Sequence, residues 1–97
     1  MTQTISEGRT VVTTAGTAVV LSSTNIENLQ WVVIVAETDN TGVITVGGSA
    51  VVGALATRKG TPLAAGDSIT LPVNNLSDVY LDTTVNGDGV TYLVGVA

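Results

Sequence analysis

The residues able to do chemistry in this chain are few, and the acids dominate them. Eight carboxylates stand against three basic side chains, and neither histidine nor cysteine is present. Without His or Cys a serine triad, a Cys–His pair and a thiolate metal site are all ruled out, leaving a pair of carboxylates or a Ser/Thr–Lys arrangement. Neither is assembled locally. Glu7, Glu27, Glu37, Asp39, Asp67, Asp78, Asp82 and Asp88 are scattered. Most fall where strands end, and there they serve turn geometry and solubility. Lys59 has no spaced Ser or Thr motif beside it. The segment from Asp82 to Gly89, Asp-Thr-Thr-Val-Asn-Gly-Asp-Gly, offers several oxygens in a short span and could hold a calcium ion. It lacks the bidentate Glu and the spacing of an EF-hand loop, and a tight Asn-Gly turn explains it more simply. Gly47-Gly48-Ser49 is not a phosphate loop, for it lacks the following Lys and helix. The chain is therefore expected to be no enzyme and to need no cofactor.

Stacking on a sugar needs exposed aromatics, and only Trp31, Tyr80 and Tyr92 are available. Trp31 and Tyr92 lie in apolar strands and are expected in the core. Tyr80 shares a face with Asp78 and Asp82 by alternation and is the best candidate for partial exposure. A net charge of −5 leaves no basic footprint for nucleic acid. No apolar run approaches the roughly 20 residues of a membrane-spanning helix, and the start lacks the basic-then-apolar order of a secretory signal. Neither nucleic acid nor membrane is an expected partner, and the protein is expected to stay where it is made.

Composition indicates what must position these residues. Valine and threonine together make about a third of the chain, Phe is absent and only 11% of residues are charged, which points to an all-β protein. The 97 residues suffice for one domain with a modest core. The expectation is a single compact antiparallel β-sandwich, jelly-roll or Greek-key like, of seven or eight strands. Residues 1–8, polar and poor in core material, are read as an N-terminal arm, mobile or ordered on a neighbour. Residues 9–97 form the sandwich, with the first strand over 9–14.

The central strand is Leu29 to Glu37. Strict alternation places Leu29, Trp31, Val33 and Val35 on one face and Gln30, Val32, Ile34 and Ala36 on the other. Both faces are apolar. A sandwich buries one face of each sheet, so a strand apolar on both sides predicts a second packing surface, supplied by a partner subunit or by a loop of the same chain. The face bearing Val32 and Ile34 is assigned to that role.

The chain also repeats itself. Ala15-Gly16, Val19, Leu21, Asn25, Ile26, Asn28, Leu29 and Trp31 return 50 residues later as Ala65-Gly66, Ile69, Leu71, Asn75, Leu76, Asp78, Val79 and Leu81. A third strand follows each copy, over 42–47 and 89–95. Two three-stranded units, each with an apolar face, are expected to pack on one another. Asp39-Asn40-Thr41-Gly42 and Asn86-Gly87-Asp88-Gly89 read as hairpins. Ala50 to Gly53 is a short strand or a covering segment. Residues 54–62, which carry Arg58 and Lys59, cross between the halves over one end.

The run Val46-Gly47-Gly48-Ser49-Ala50-Val51, then Gly60-Thr61-Pro62-Leu63-Ala64-Ala65-Gly66-Asp67-Ser68-Ile69-Thr70-Leu71, resembles a pattern in small β-rich virion proteins of tailed bacteriophages. Asn75 to Asp82 and Asn86 to Tyr92 are similar in style, so the resemblance spans about residues 14–96. It implies a β-sandwich virion protein, with roles running from capsid decoration (cementing) to fibre and tail modules. It carries over no functional residues. A single domain with no stalk or coiled coil suits decoration: many copies on the outer capsid face, bridging shell subunits and each other through modest, repeated contacts. The implied partners are the major capsid protein and further copies of the chain, and the implied location is the virion exterior after synthesis in the bacterial cytoplasm. The contact residues proposed from sequence are Thr4 and Ile5 in the arm, Val32 and Ile34 on the central strand, and Arg58 and Lys59 at the basic tip. The alternative is a tail, baseplate or fibre module that recognises a receptor or glycan, using Tyr80 and residues 82–89.

Overall fold

A computed structural model describes residues 4–97. Eight strands follow in chain order: β1 (Thr4–Val11), β2 (Val19–Val20), β3 (Leu29–Ala36), β4 (Ile44–Gly47), β5 (Thr61–Leu63), β6 (Ser68–Leu71), β7 (Tyr80–Thr83) and β8 (Gly89–Val96). Two single 3-10 turns, Leu55–Thr57 and Leu76–Asp78, interrupt the connections. Every strand pairing is antiparallel. The front sheet runs β1-β8-β3-β6 and the back sheet runs β2-β7-β4-β5. This is the order of a jelly roll, two interlocked Greek keys in two layers.

The internal repeat is real in the fold, but it does not make one sheet per copy. Equating β1 with β5, β2 with β6, β3 with β7 and β4 with β8 turns the front order into the back order read in reverse. Each half thus contributes two strands to each sheet, and within each half successive strands switch layers. The physical reason is that each half presents strands whose apolar sides must face each other across the core, not lie side by side. The equivalent glycines Gly16 and Gly66 share a left-handed backbone, with φ of 89° and 85°, at the turn that opens each repeat.

Layer switching also corrects the turn assignments. Residues 37–43 join β3 in the front sheet to β4 in the back, and residues 84–88 join β7 in the back to β8 in the front. Both are arches between sheets, where hairpins were expected. The link from β4 to β5 is the one between consecutive strands that pair with each other. The expected crossing over 54–62 therefore joins the halves without passing over one end: residues 61–62 belong to β5, and 54–60 are part of a longer connection, residues 48–60. They fold back as a flap on the outer face of the back sheet, held by reciprocal backbone bonds between Val52 and Lys59 of 3.1 and 2.9 Å. Beneath the flap Thr45 is fully buried although it faces away from the core, and its Oγ1 finds no partner among the described residues.

The core forms where the inward faces meet. Val32, Ile34, Ala36, Val90 and Val94 come from the front sheet, Ile44, Val46, Leu63 and Leu81 from the back, with Val12, Leu21, Leu76 and Val79 closing the ends. Val32 and Ile34 are completely buried. Each contributes about 1.5–3 kcal/mol by leaving water. The face assigned to a partner is thus the core face, and those two contact assignments fail. Strict alternation misleads here because the β3–β8 register shifts between Leu29 and Trp31. The bulge at Gln30 lets Leu29 point inward along with Val32, Ile34 and Ala36, and it sends Trp31, Val33 and Val35 outward.

The N-terminal boundary moves as well. Strand β1 begins at Thr4 and pairs with β8 along its whole length, from Thr4 opposite Val96 to Val11 opposite Gly89. Residues 4–8 of the expected arm are therefore sheet, and residues 1–3 of it lie outside the described residues.

Candidate interaction surface

The outward side of the front sheet is assembled from three rows of facing residues, since directly opposed residues on neighbouring strands share a face. Ile5, Gly95 and Trp31 form the first row. Glu7, Leu93, Val33 and Thr70 form the second, and Arg9, Thr91, Val35 and Ser68 the third. The centre is apolar and open to solvent. Ile5 is 60% exposed and Leu93 39% exposed, while Trp31, Val33 and Val35 are half-buried. Trp31 is therefore a surface residue where a core position was expected. Its ring lies against the backbone of Gly95, where any Cβ would overlap it. Tyr92, on the opposite side of β8, does pack on the core.

A shallow groove of about 570 Å³ runs across this face between Glu7, Arg9, Val33, Val35, Thr91 and Leu93. Its rim carries the one ion pair among the described residues. Arg9 grips Glu37 through two bonds, Nε to Oε2 at 2.8 Å and Nη2 to Oε1 at 3.0 Å. The hydrogen bond to Glu37, and then that residue's charge, hold the Arg9 guanidinium above its ordinary pKa. The geometry fixes the direction of the guanidinium across the sheet more than it stabilises the fold, because Arg9 is largely in water.

The carboxylates of the 82–89 segment are occupied inside the fold. Asp82 is 2% exposed. Its Oδ1 accepts from the backbone N–H of Gly16 at 2.9 Å and of Thr83 at 2.8 Å, and its Oδ2 accepts from Gly53 at 2.8 Å. One side chain thereby ties β7 to the connection between β1 and β2 and to the flap. Asp88 does the same for the neighbouring arch. Its two oxygens accept from Thr41 at 3.2 Å and Gly42 at 2.8 Å. Asn40 completes the junction by exchanging two bonds with the backbone of Gly89, at 2.9 and 3.0 Å. Charge-assisted bonds of this kind position backbone and leave few lone pairs for an ion. No group of three or more acidic side chains converges on a metal position among the described residues.

The remaining sequence candidates fall apart spatially. Thr4 and Ile5 open β1 at the edge of the front sheet, and Ile5 belongs to the apolar face. Arg58 and Lys59 sit on the flap over the back sheet. Arg58 turns inward to donate from Nε to the Gly53 carbonyl at 3.4 Å, and Lys59 remains exposed. Tyr80 is half-buried between Val20 and Gly47, and Asp78 is exposed at a 3-10 turn. Sequence reasoning missed Trp31, Val33, Val35 and Leu93 as surface residues, and Arg9 and Glu37 as a pair. The available signal was Gln30: a polar residue on the Val32 and Ile34 side marks either an exposed face or a break in alternation, and it was the break.

No protein-family model matches the chain, and no curated protein matches it. Among solved structures, one described under "Bacillus endospore appendages form a novel family of disulfide-linked pili" aligns over 98% of this chain and 88% of that one, at 19% identity and a TM-score of 0.48.

Proposed function

We propose that the chain is a structural subunit of a repetitive assembly, of the capsid-decoration kind that the resemblance to phage virion proteins implies. The observation that carries this reading is the unequal covering of the two sheets. The back sheet is roofed by the chain's own flap, whereas the front sheet leaves Ile5, Trp31, Val33, Val35 and Leu93 as a contiguous apolar face rimmed by Glu7, Arg9 and Glu37. An open apolar patch with a polar rim is the form of a protein–protein contact. In this reading the front face docks on the major capsid protein at the virion exterior, other copies bind alongside, and many modest contacts add up to firm retention.

The rival reading, a tail, baseplate or fibre module for a receptor or glycan, draws on Tyr80 and residues 82–89. It is less favoured because Asp82 and Asp88 already hold backbone N–H groups and Tyr80 offers one half-buried ring. Quantitative mass spectrometry of purified particles separates the two. Copy numbers within a few-fold of the shell subunit support decoration, a handful of copies per particle supports a tail part, and absence from particles retires both. In the first case Leu93→Asp should strip the protein from particles while leaving the isolated domain folded.

A further inference from the structure

Three of the four sheet edges are blunted. Strand β2 has two residues, β5 has three with Pro62 in the middle, and β6 has four and runs into Pro72. Strand β1 differs. It is eight residues long, contains no proline, pairs only with β8, and has no strand on its other side among the described residues. A long edge with no partner strand is a template for another strand.

The direction of its backbone groups follows from the end of the strand. Val12 donates to Asp88 at 2.9 Å and accepts from Gly87 at 2.9 Å, so its groups point to the β8 side. Since direction alternates along an antiparallel strand, the N–H and C=O of Ile5, Glu7, Arg9 and Val11 point to the open side. Their side chains all lie on the outer face. We infer that this edge pairs antiparallel with β1 of a second copy, about a twofold axis at Gly8, joining two front sheets into one eight-stranded sheet.

Charge selects that register. With Gly8 facing Gly8, Glu7 faces Arg9 of the other copy twice, and Ile5 faces Val11 twice. Sliding by one step in either direction that keeps the faces matched sets Glu7 against Glu7 or Arg9 against Arg9, and like charges directly opposed are destabilising. Glu7 carries no ion pair among the described residues, and Arg9 uses only two of its five donors on Glu37, so both are available. The four facing pairs exchange eight backbone hydrogen bonds. The same pairing sets each exposed Ile5 side chain beside Val11 of the other copy and places the two apolar front faces side by side. The dimer goes beyond the decoration reading and does not require it, because it forms in solution without a shell.

Sedimentation of the purified full chain over micromolar concentrations tests the pairing. The native protein should run at twice its 9.8 kDa. Glu7→Pro removes an edge donor but no bond to β8, so it should run as a monomer with an unchanged circular dichroism spectrum, melting like the native protein diluted below its dimer dissociation constant. Glu7→Lys, which keeps the backbone intact, should raise the dissociation constant at least about tenfold by facing Lys with Arg9. A native monomer throughout the range, or a larger oligomer, overturns the proposal. A dimer that persists in Glu7→Pro places the interface elsewhere, and undiminished affinity in Glu7→Lys refutes the register. Failure of shell binding with the dimer intact counts against the decoration reading alone.

Discussion

Replacing Asp82 by Asn tests whether one buried carboxylate joins three parts of this sandwich. The change is nearly isosteric, so cavity effects are small. Oδ1 of the native side chain takes two backbone N–H groups and Oδ2 takes one, at 2.8–2.9 Å. An amide oxygen can keep the first pair, Gly16 and Thr83. The amide nitrogen then faces the Gly53 N–H, donor against donor, in a buried setting. Leaving that N–H unpaired costs about 1–3 kcal/mol. The two surviving bonds lose their charge assistance, for roughly another 1 kcal/mol together. The total of about 2–4 kcal/mol is large against the roughly 5–15 kcal/mol that stabilises a domain of this size. For a domain of up to about 100 residues, each kcal/mol moves the melting temperature by roughly 4–8 °C. Thermal unfolding followed by circular dichroism at neutral pH should therefore show a fall of at least about 8 °C. Asp78→Asn, at an exposed position, supplies the control and should melt with the native protein. If Asp82→Asn melts within about 4 °C of native, the carboxylate is not the tie described. The flap should also loosen selectively, with faster amide exchange at Gly53 than at core positions of β3.

The two faces of β3 should respond oppositely to change. Ile34→Ala should cost about 2–5 kcal/mol in urea unfolding, and Ile34→Asp should prevent folding altogether. Val33→Asp, one residue away on the open face, should stay within about 1 kcal/mol of native. Equal losses at the two positions would contradict the assigned orientation of the strand. Gly95→Ala should push the Trp31 indole off the sheet, since its ring occupies the space of any Cβ. A loss of about 1–3 kcal/mol and a red-shifted tryptophan emission are expected, and unchanged emission would contradict the contact.

Much of the architecture was legible from local patterns. The Val- and Thr-rich composition, the turn residues between apolar runs and the 50-residue repeat pointed to a sandwich of seven or eight strands because strand propensity and turn chemistry are written in short windows. The repeat even located the equivalent left-handed glycines, Gly16 and Gly66. Alternation also told correctly that β3 is apolar on both sides and that only one side would meet the opposing sheet.

Which side that is could not be settled locally. The register shift at Gln30 inverts the relation between Leu29 and the rest of β3, and a bulge depends on the partner strand β8, some 60 residues distant. The same long-range pairing drew Thr4 to Gly8 out of an expected arm and into the sheet, and it made arches of two apparent hairpins. For Asp82 and Asp88 the sequence gives only two acids near turns. The backbone groups that claim them come from Gly16, Thr41, Gly42 and Gly53, which approach only after the strands have switched layers. Residue chemistry therefore determined that this is an all-β chain without a catalytic histidine or cysteine. Tertiary structure decided which apolar face is core and which edge is left open, because those follow from pairing between segments far apart in the chain.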